Sequence, residues 1–154
     1  MVENIERSKE FYQSLFGLYV IRDFGENVIL TEGLVLQERK IWERFIEREV
    51  QYGSNNAELY FEENDMDAFL EKLKKSPYEI AFVNEPMEHD WGQRVVRIYD
   101  PDHHMIEVGE ALDYVARRML KQGMSVEDTA HKCQMPVDEI QMIADGIQEV
   151  MMGE

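Results

Sequence analysis

Asp23-Phe24-Gly25-Glu26-Asn27-Val28-Ile29 returns as Asp90-Trp91-Gly92-Gln93-Arg94-Val95-Val96, at a constant offset of 67 positions. Each copy places an acid, an aromatic ring and a glycine ahead of an acid or amide, a polar residue and an apolar pair. The shared glycine marks a turn, and the apolar pair opens a strand. The surroundings repeat in the same order. Ahead of the first copy, Ile5 to Phe16 carries Ile5, Ser8, Phe11, Tyr12, Leu15 and Phe16 on one helical stripe, with Asn4 as N-cap and Gly17 as stop. Short strands follow at Leu18 to Ile21, Asn27 to Leu30 and Leu34 to Gln37. In the second half Ala57 to Glu62 alternates as a strand and Met66 to Lys74 is helical. Ile80 to Val83, Gln93 to Tyr99 and His104 to Val108 are three further strands. The first 110 residues therefore read as two βαβββ modules.

The modules cover 1–38, with a shortened first strand, and 56–110, joined by a connector over 39–55. From Glu38 to Val50, Ile41, Trp42, Phe45, Ile46 and Val50 recur at helical spacing. That helix is expected to cover core or a dimer surface, or to act as a lid. Residues 111–154 read as a helical tail. Gly123 ends one helix, Ser125 with Asp128 forms a capping box, and Met135-Pro136 precedes a last helix from Val137. The spacing resembles a helix-turn-helix, yet the last helix holds Asp138, Glu139, Asp145 and Glu149 and no Lys or Arg. Packing or oligomerisation is its expected role.

Sixteen basic residues stand against 32 acidic ones among 154, a net charge of −16. That field repels nucleic-acid phosphates. A 44% hydrophobic content excludes wholesale disorder. No apolar run approaches the roughly 20 residues of a spanning helix. The opening residues lack the basic and apolar regions of a signal peptide, and the lone Cys133 fits a reducing compartment. A cytoplasmic protein with no membrane partner is expected.

Val2-Glu3-Asn4-Ile5-Glu6-Arg7-Ser8-Lys9-Glu10-Phe11-Tyr12, followed by Leu15-Phe16-Gly17-Leu18, resembles the opening of the vicinal oxygen chelate superfamily, which includes glyoxalase I, bleomycin-resistance proteins and extradiol dioxygenases. Glu58 to Asp67 resembles the start of its second module, and Asp100-Pro101-Asp102-His103-His104-Met105-Ile106-Glu107-Val108 its closing hairpin and last strand. The resemblance implies an α+β fold, with paired βαβββ modules forming a curved mixed-sheet cup that binds a small molecule, often in a homodimer. Its metal positions map onto Gln37, Glu58 and Glu107. The fourth falls ahead of Met1.

Strand alternation assigns faces. Ala57, Leu59 and Phe61 pack on a helix, opposite Glu58, Tyr60 and Glu62. Met105 and Glu107 face the cup while Ile106 and Val108 are core. The family's parity puts Gln93, Val95, Arg97 and Tyr99 inside, with Glu26, Val28 and Leu30 as their counterparts and Val35 and Gln37 also inward. Two converging carboxylates need a positive charge between them. A divalent ion (Mg, Mn, Ni or Zn) on Gln37, Glu58 and Glu107 supplies one, with hard oxygen ligands; the Arg97 guanidinium supplies another. In the first case Glu58 and Glu107 are catalytic, the metal acting as Lewis acid for a lyase or isomerase of glyoxalase type. In the second, a metal-free protein of bleomycin-resistance type sequesters its ligand with Arg97, Gln93 and the aromatic walls Tyr60, Trp91 and Tyr99, with Trp42 from the connector. Equally, Glu58 is an ordinary solvated side chain, Trp42 and Trp91 pack a dimer seam, and His89, His103 and His104 sit in exposed loops. His131 stands alone in the tail, and Cys133 is a small buried residue.

Overall fold

The computed structural model describes the backbone of residues 1–152 and the side chains through Gln148. Residues 153 and 154 of the expected tail, and the Glu149 side chain, lie outside the described residues. The elements run α1 (Ile5–Phe16), β1 (Val20–Asp23), β2 (Asn27–Leu30), β3 (Val35–Gln37), α2 (Arg39–Ile46), β4 (Glu58–Glu63), α3 (Met66–Lys74), β5 (Ala81–Phe82), β6 (Met87–Glu88), β7 (Arg94–Tyr99), β8 (Met105–Glu110), α4 (Leu112–Lys121), α5 (Val126–Cys133) and α6 (Val137–Met152). The fold is α+β. Both repeats keep one strand order. In the first, β1-β2-β3 is extended by Val2, which bridges Glu38 in parallel; in the second the order is β4-β8-β7, with β5 and β6 each pairing β7. The segment ahead of α1 meets β3 through this single bridge, held by Val2 N–H to Gln37 O at 2.9 Å and Arg39 N–H to Val2 O at 3.0 Å. Strand β6 was not expected from the sequence.

The chain divides into two compact units. The first comprises 1–59, 70–83 and 97–106; the second comprises 60–69, 84–96 and 107–154. In the first unit α1 packs on β3. Asn4 Oδ1 accepts the Arg7 N–H at 2.9 Å, satisfying one of the free donors at the start of α1. Gly17 closes it in the left-handed region. The side chains of Phe11, Tyr12, Leu15, Val28, Leu30 and Leu36 are buried.

The repeat misassigns one face. Val28 lies opposite Leu36, while Asn27 and Ile29 lie opposite Gln37 and Val35. Val28 and Leu30 therefore belong to the buried face with Leu36, and Asn27 and Ile29 share the face of Val35 and Gln37. The turns explain the difference. Phe24 N–H bonds Asn27 O at 2.9 Å around two residues, whereas His89 N–H bonds Gln93 O at 2.9 Å around three. One extra residue exchanges every side chain beyond it between the two faces. The structural counterparts of Gln93 and Val95 are Asn27 and Ile29.

Helix α2 buries no residue fully; Phe45 and Ile46 are exposed. In the second unit α4, α5 and α6 close a core of their own around Val115, Ala116, Met119, Ala130, Cys133 and Ile140. Ser125 caps α5, its Oγ accepting the Asp128 N–H at 3.0 Å and donating to Asp128 Oδ2 at 2.8 Å. The tail is fastened through Glu110, whose carboxylate is almost wholly buried. Arg94 meets it in bidentate fashion at 3.2 and 2.9 Å, and Arg118 adds a bond at 3.1 Å while also donating to Gly92 O at 2.6 Å. Burial pushes the Glu110 carboxyl up, but the two guanidinium groups outweigh it and hold it below the usual carboxylate value. Replacing Glu110 by Gln leaves two guanidinium groups short of their counter-charge. The variant is expected to lose about 3 kcal/mol in urea unfolding at neutral pH, and the gap to the parent should narrow in acid as the native carboxylate protonates.

Candidate functional site

A cavity of about 240 Å³ lies in the first unit. Its wall comes from β3, the start of β4, the 51–57 loop, Tyr12 of α1 and the 100–105 hairpin. Apolar side chains such as Val2, Leu34, Leu59 and Met105 supply most of the wall, and a few polar groups interrupt it.

Asp100 organises that hairpin. Its carboxylate is buried and accepts four hydrogen bonds, from the Tyr12 hydroxyl at 2.7 Å, His104 Nδ1 at 2.8 Å, and the backbone N–H groups of Asp102 and His104 at 2.9 Å each. Burial alone pushes its carboxyl up; His104 and Tyr12 together outweigh burial and hold it below its ordinary value of 3.8. Burial and then the Asp100 charge push the Tyr12 phenol far above its ordinary range, so Tyr12 stays a donor. Because His104 Nδ1 donates to a carboxylate, Nε2 is left as the acceptor of the neutral ring. His103 takes a left-handed backbone at φ +62° in the same turn.

Tyr52 packs edge-on against His104, with ring centroids 5.6 Å apart. Its hydroxyl is buried without a hydrogen-bond partner among the described residues, and burial pushes the phenol up to about 12. Glu58 opens β4 on the cavity wall. Its carboxylate is exposed and has no ion pair or hydrogen bond among the described residues. Tyr99 donates to Asn55 Oδ1 at 2.8 Å, steadying the loop that carries Tyr52.

A glyoxalase-like domain model matches residues 1–113. The chain belongs to the glyoxalase-like family. Among solved structures it resembles a protein of unknown function from Agrobacterium tumefaciens str. C58, at 37% identity over 72% of this chain and 88% of that one, with a TM-score of 0.62. A glyoxalase-related enzyme from Fulvimarina pelagi matches at 17% identity over 71% and 82%, TM-score 0.60. A lactoylglutathione lyase from Agrobacterium tumefaciens matches at 19% over 71% and 87%, TM-score 0.55. No curated protein matches.

The glyoxalase-like residues singled out by sequence divide between the units. In the first, Gln37 is turned to its own sheet: its Oε1 accepts from Asn27 Nδ2 at 2.9 Å and its Nε2 donates to Glu26 O at 2.9 Å. Glu58 lines the cavity and Gln37 does not. Arg97 is half-buried on β7, and Tyr99 serves the 51–57 loop. In the second unit Trp91, Gln93 and Tyr60 form one polar clasp. Trp91 Nε1 donates to Gln93 Oε1 at 3.1 Å, and Gln93 Nε2 donates to the Tyr60 hydroxyl at 3.2 Å and to Glu110 O at 2.9 Å. Trp91 also stacks on His89, with centroids 4.2 Å apart. Gly109 lies beneath the clasp, where a Cβ would come within 2.6 Å of the Tyr60 hydroxyl. Glu107, on β8, is half-buried in that unit. Burial, with the charges of Glu62 and Glu107, pushes the Tyr60 phenol up against the opposing bond from Gln93.

The family's divalent metal does not suit this donor set. Gln37 spends its side-chain oxygen and nitrogen on Asn27 and Glu26, and among the described residues no three His, Cys, Asp or Glu side chains cluster as metal ligands. One expectation needs correcting: His104 is not a loop residue in solvent, since its ring is only one-third exposed and is bonded to Asp100. The Tyr12–Asp100–His104 set was missed from sequence. Its only trace was an acid and a histidine four apart in a turn, with Tyr12 reading as one more stripe residue of α1. Replacing Asp100 by Asn should cost about 2–3 kcal/mol at neutral pH. The native carboxyl sits below its unfolded value, so its contribution is present above about pH 4 and fades as pH falls through the folded value. Urea titrations at several pH values should show the gap between parent and variant closing in acid.

Proposed function

We propose that the protein is a metal-free small-molecule binding protein of the bleomycin-resistance type, holding its ligand in the cavity of the first unit. The observation that carries this reading is the character of the wall. A mostly apolar hollow contains a few fixed polar groups, the composition expected of a small-molecule site. Asp100 fixes the His104 ring and its tautomer in advance, so little ordering is needed on binding. The buried Tyr52 hydroxyl lacks a partner among the described residues, and a polar ligand group would relieve that deficit by giving or taking a hydrogen bond.

The Gln37 bonds support a mechanism without metal, in which recognition rests on shape, on Tyr52 and on His104. No bond of the ligand is made or broken. The protein lowers the free concentration of its ligand by enclosing it.

Replacing Tyr52 by Phe tests the reading. The unliganded variant should keep or slightly gain stability, because a buried unsatisfied hydroxyl is removed, while losing roughly tenfold in affinity for cavity-binding fragments. Protein NMR with a library of small aromatic fragments measures both. The reading fails if no fragment perturbs the signals of Tyr52, His104 and Leu59, or if the fragments that do so bind the variant equally well.

A further inference from the structure

Accepting the cavity as a ligand site, we infer that its ligand carries a positive charge, an ammonium group on a small apolar body, and that Glu58 is the counter-ion that selects it. The inference starts from the charges on the wall. Among the described residues no Lys or Arg lines the cavity; the ionisable side chains on its wall are Asp100, Glu58, His103, His104 and the phenols of Tyr12 and Tyr52.

These groups are unequally committed. The four hydrogen bonds to Asp100 use its lone pairs. The neighbouring Asp102 is answered by Arg7 at 2.6 Å. The α-amino group of Met1, which also reaches the wall, lies in the field of both aspartates, and burial lowers its affinity for a proton. Glu58 differs from all of these. It stands on the wall as a carboxylate with no hydrogen bond or ion pair among the described residues.

The hydrogen-bonding capacity has the same sense. Asp100 accepts the hydrogen bond at His104 Nδ1, and in the neutral ring that leaves Nε2 with a lone pair facing outward from the pair. Glu58 can only accept when ionised. An ammonium group can only donate, whereas a carboxylate ligand would meet the like charge of Glu58. The net charge of −16 adds a long-range field that draws cations towards the protein and repels anions. The tyrosine ring and the aliphatic wall then suit an apolar body behind the charged end. Because the Glu58 carboxylate is exposed on the wall, this is a selectivity for charge that is sensitive to salt.

Three ligands of one shape test it: phenethylamine, phenethyl alcohol and phenylacetate, titrated by protein NMR at low and at physiological ionic strength. The amine should bind about tenfold more tightly than the alcohol, with phenylacetate weakest, and the preference should shrink as salt is added. Glu58→Gln, a change at an exposed and unpaired side chain that leaves the fold intact, should bring amine and alcohol within about twofold. Glu58→Lys should reverse the order in favour of phenylacetate. If amine and alcohol bind the parent cavity equally, or if Glu58→Gln keeps the amine preference, the charge assignment is overturned while the cavity remains a ligand site. If none of the three perturbs the cavity signals, the ligand site and the charge assignment fall together.

Discussion

Within the first unit everything near the cavity depends on one buried carboxylate. An ionised Asp100 stripped of water is costly unless each lone pair is answered. The chain answers them from two directions: Tyr12 comes from α1, and His104 with two backbone amides comes from the hairpin itself. The same bonds that make the burial tolerable join the helix to the hairpin and set the imidazole. His103 follows from this geometry. To bring both amides round to one carboxylate oxygen the turn passes through a left-handed residue, and His103 accepts that conformation although it is no glycine.

The second unit solves a parallel problem by other means. Glu110 is as deeply placed as Asp100, yet its partners are guanidinium groups instead of a phenol and an imidazole. Fixed positive charges make Glu110 a fastening for the tail. Asp100 meets neutral or titratable donors, and one of them, His104, has a second ring nitrogen with no hydrogen bond among the described residues. Glu58 completes the contrast, being a carboxylate on a strand with no partner among the described residues. Three acids in one chain thus hold three different relations to positive charge.

Much of this was legible in the residues. The α1 stripe, its Asn4 cap and the Gly17 stop fall where the periodicity places them, because local backbone satisfaction and a 3.6-residue repeat decide that element. Helix α3 and strand β2 match likewise. The alternation of Glu58 and Tyr60 with Leu59 and Phe61 appears as alternating exposure along β4. What escaped depends on contacts between residues far apart in sequence. Tyr12 and Asp100 are separated by 88 positions, and nothing near either announces the other. Tyr52 sits in a loop with no periodicity to place it. The Trp91–Gln93–Tyr60 clasp is half visible: the sequence names the three with Arg97 and Tyr99 as candidate ligand contacts, while their mutual hydrogen bonds are seen only in the folded second unit.

The unequal turns of the two repeats have a consequence for how such a molecule diversifies. Aligning the copies on their glycines gives the greatest identity, and it equates Val28 with Val95 although their faces differ. Gaining or dropping a single residue at a hairpin tip swaps lining for packing along the whole strand beyond. Tandem copies can therefore acquire unlike interiors through a change in length, with no exchange of amino acids, and each can then take up separate work while the ancestral pattern is still readable in both.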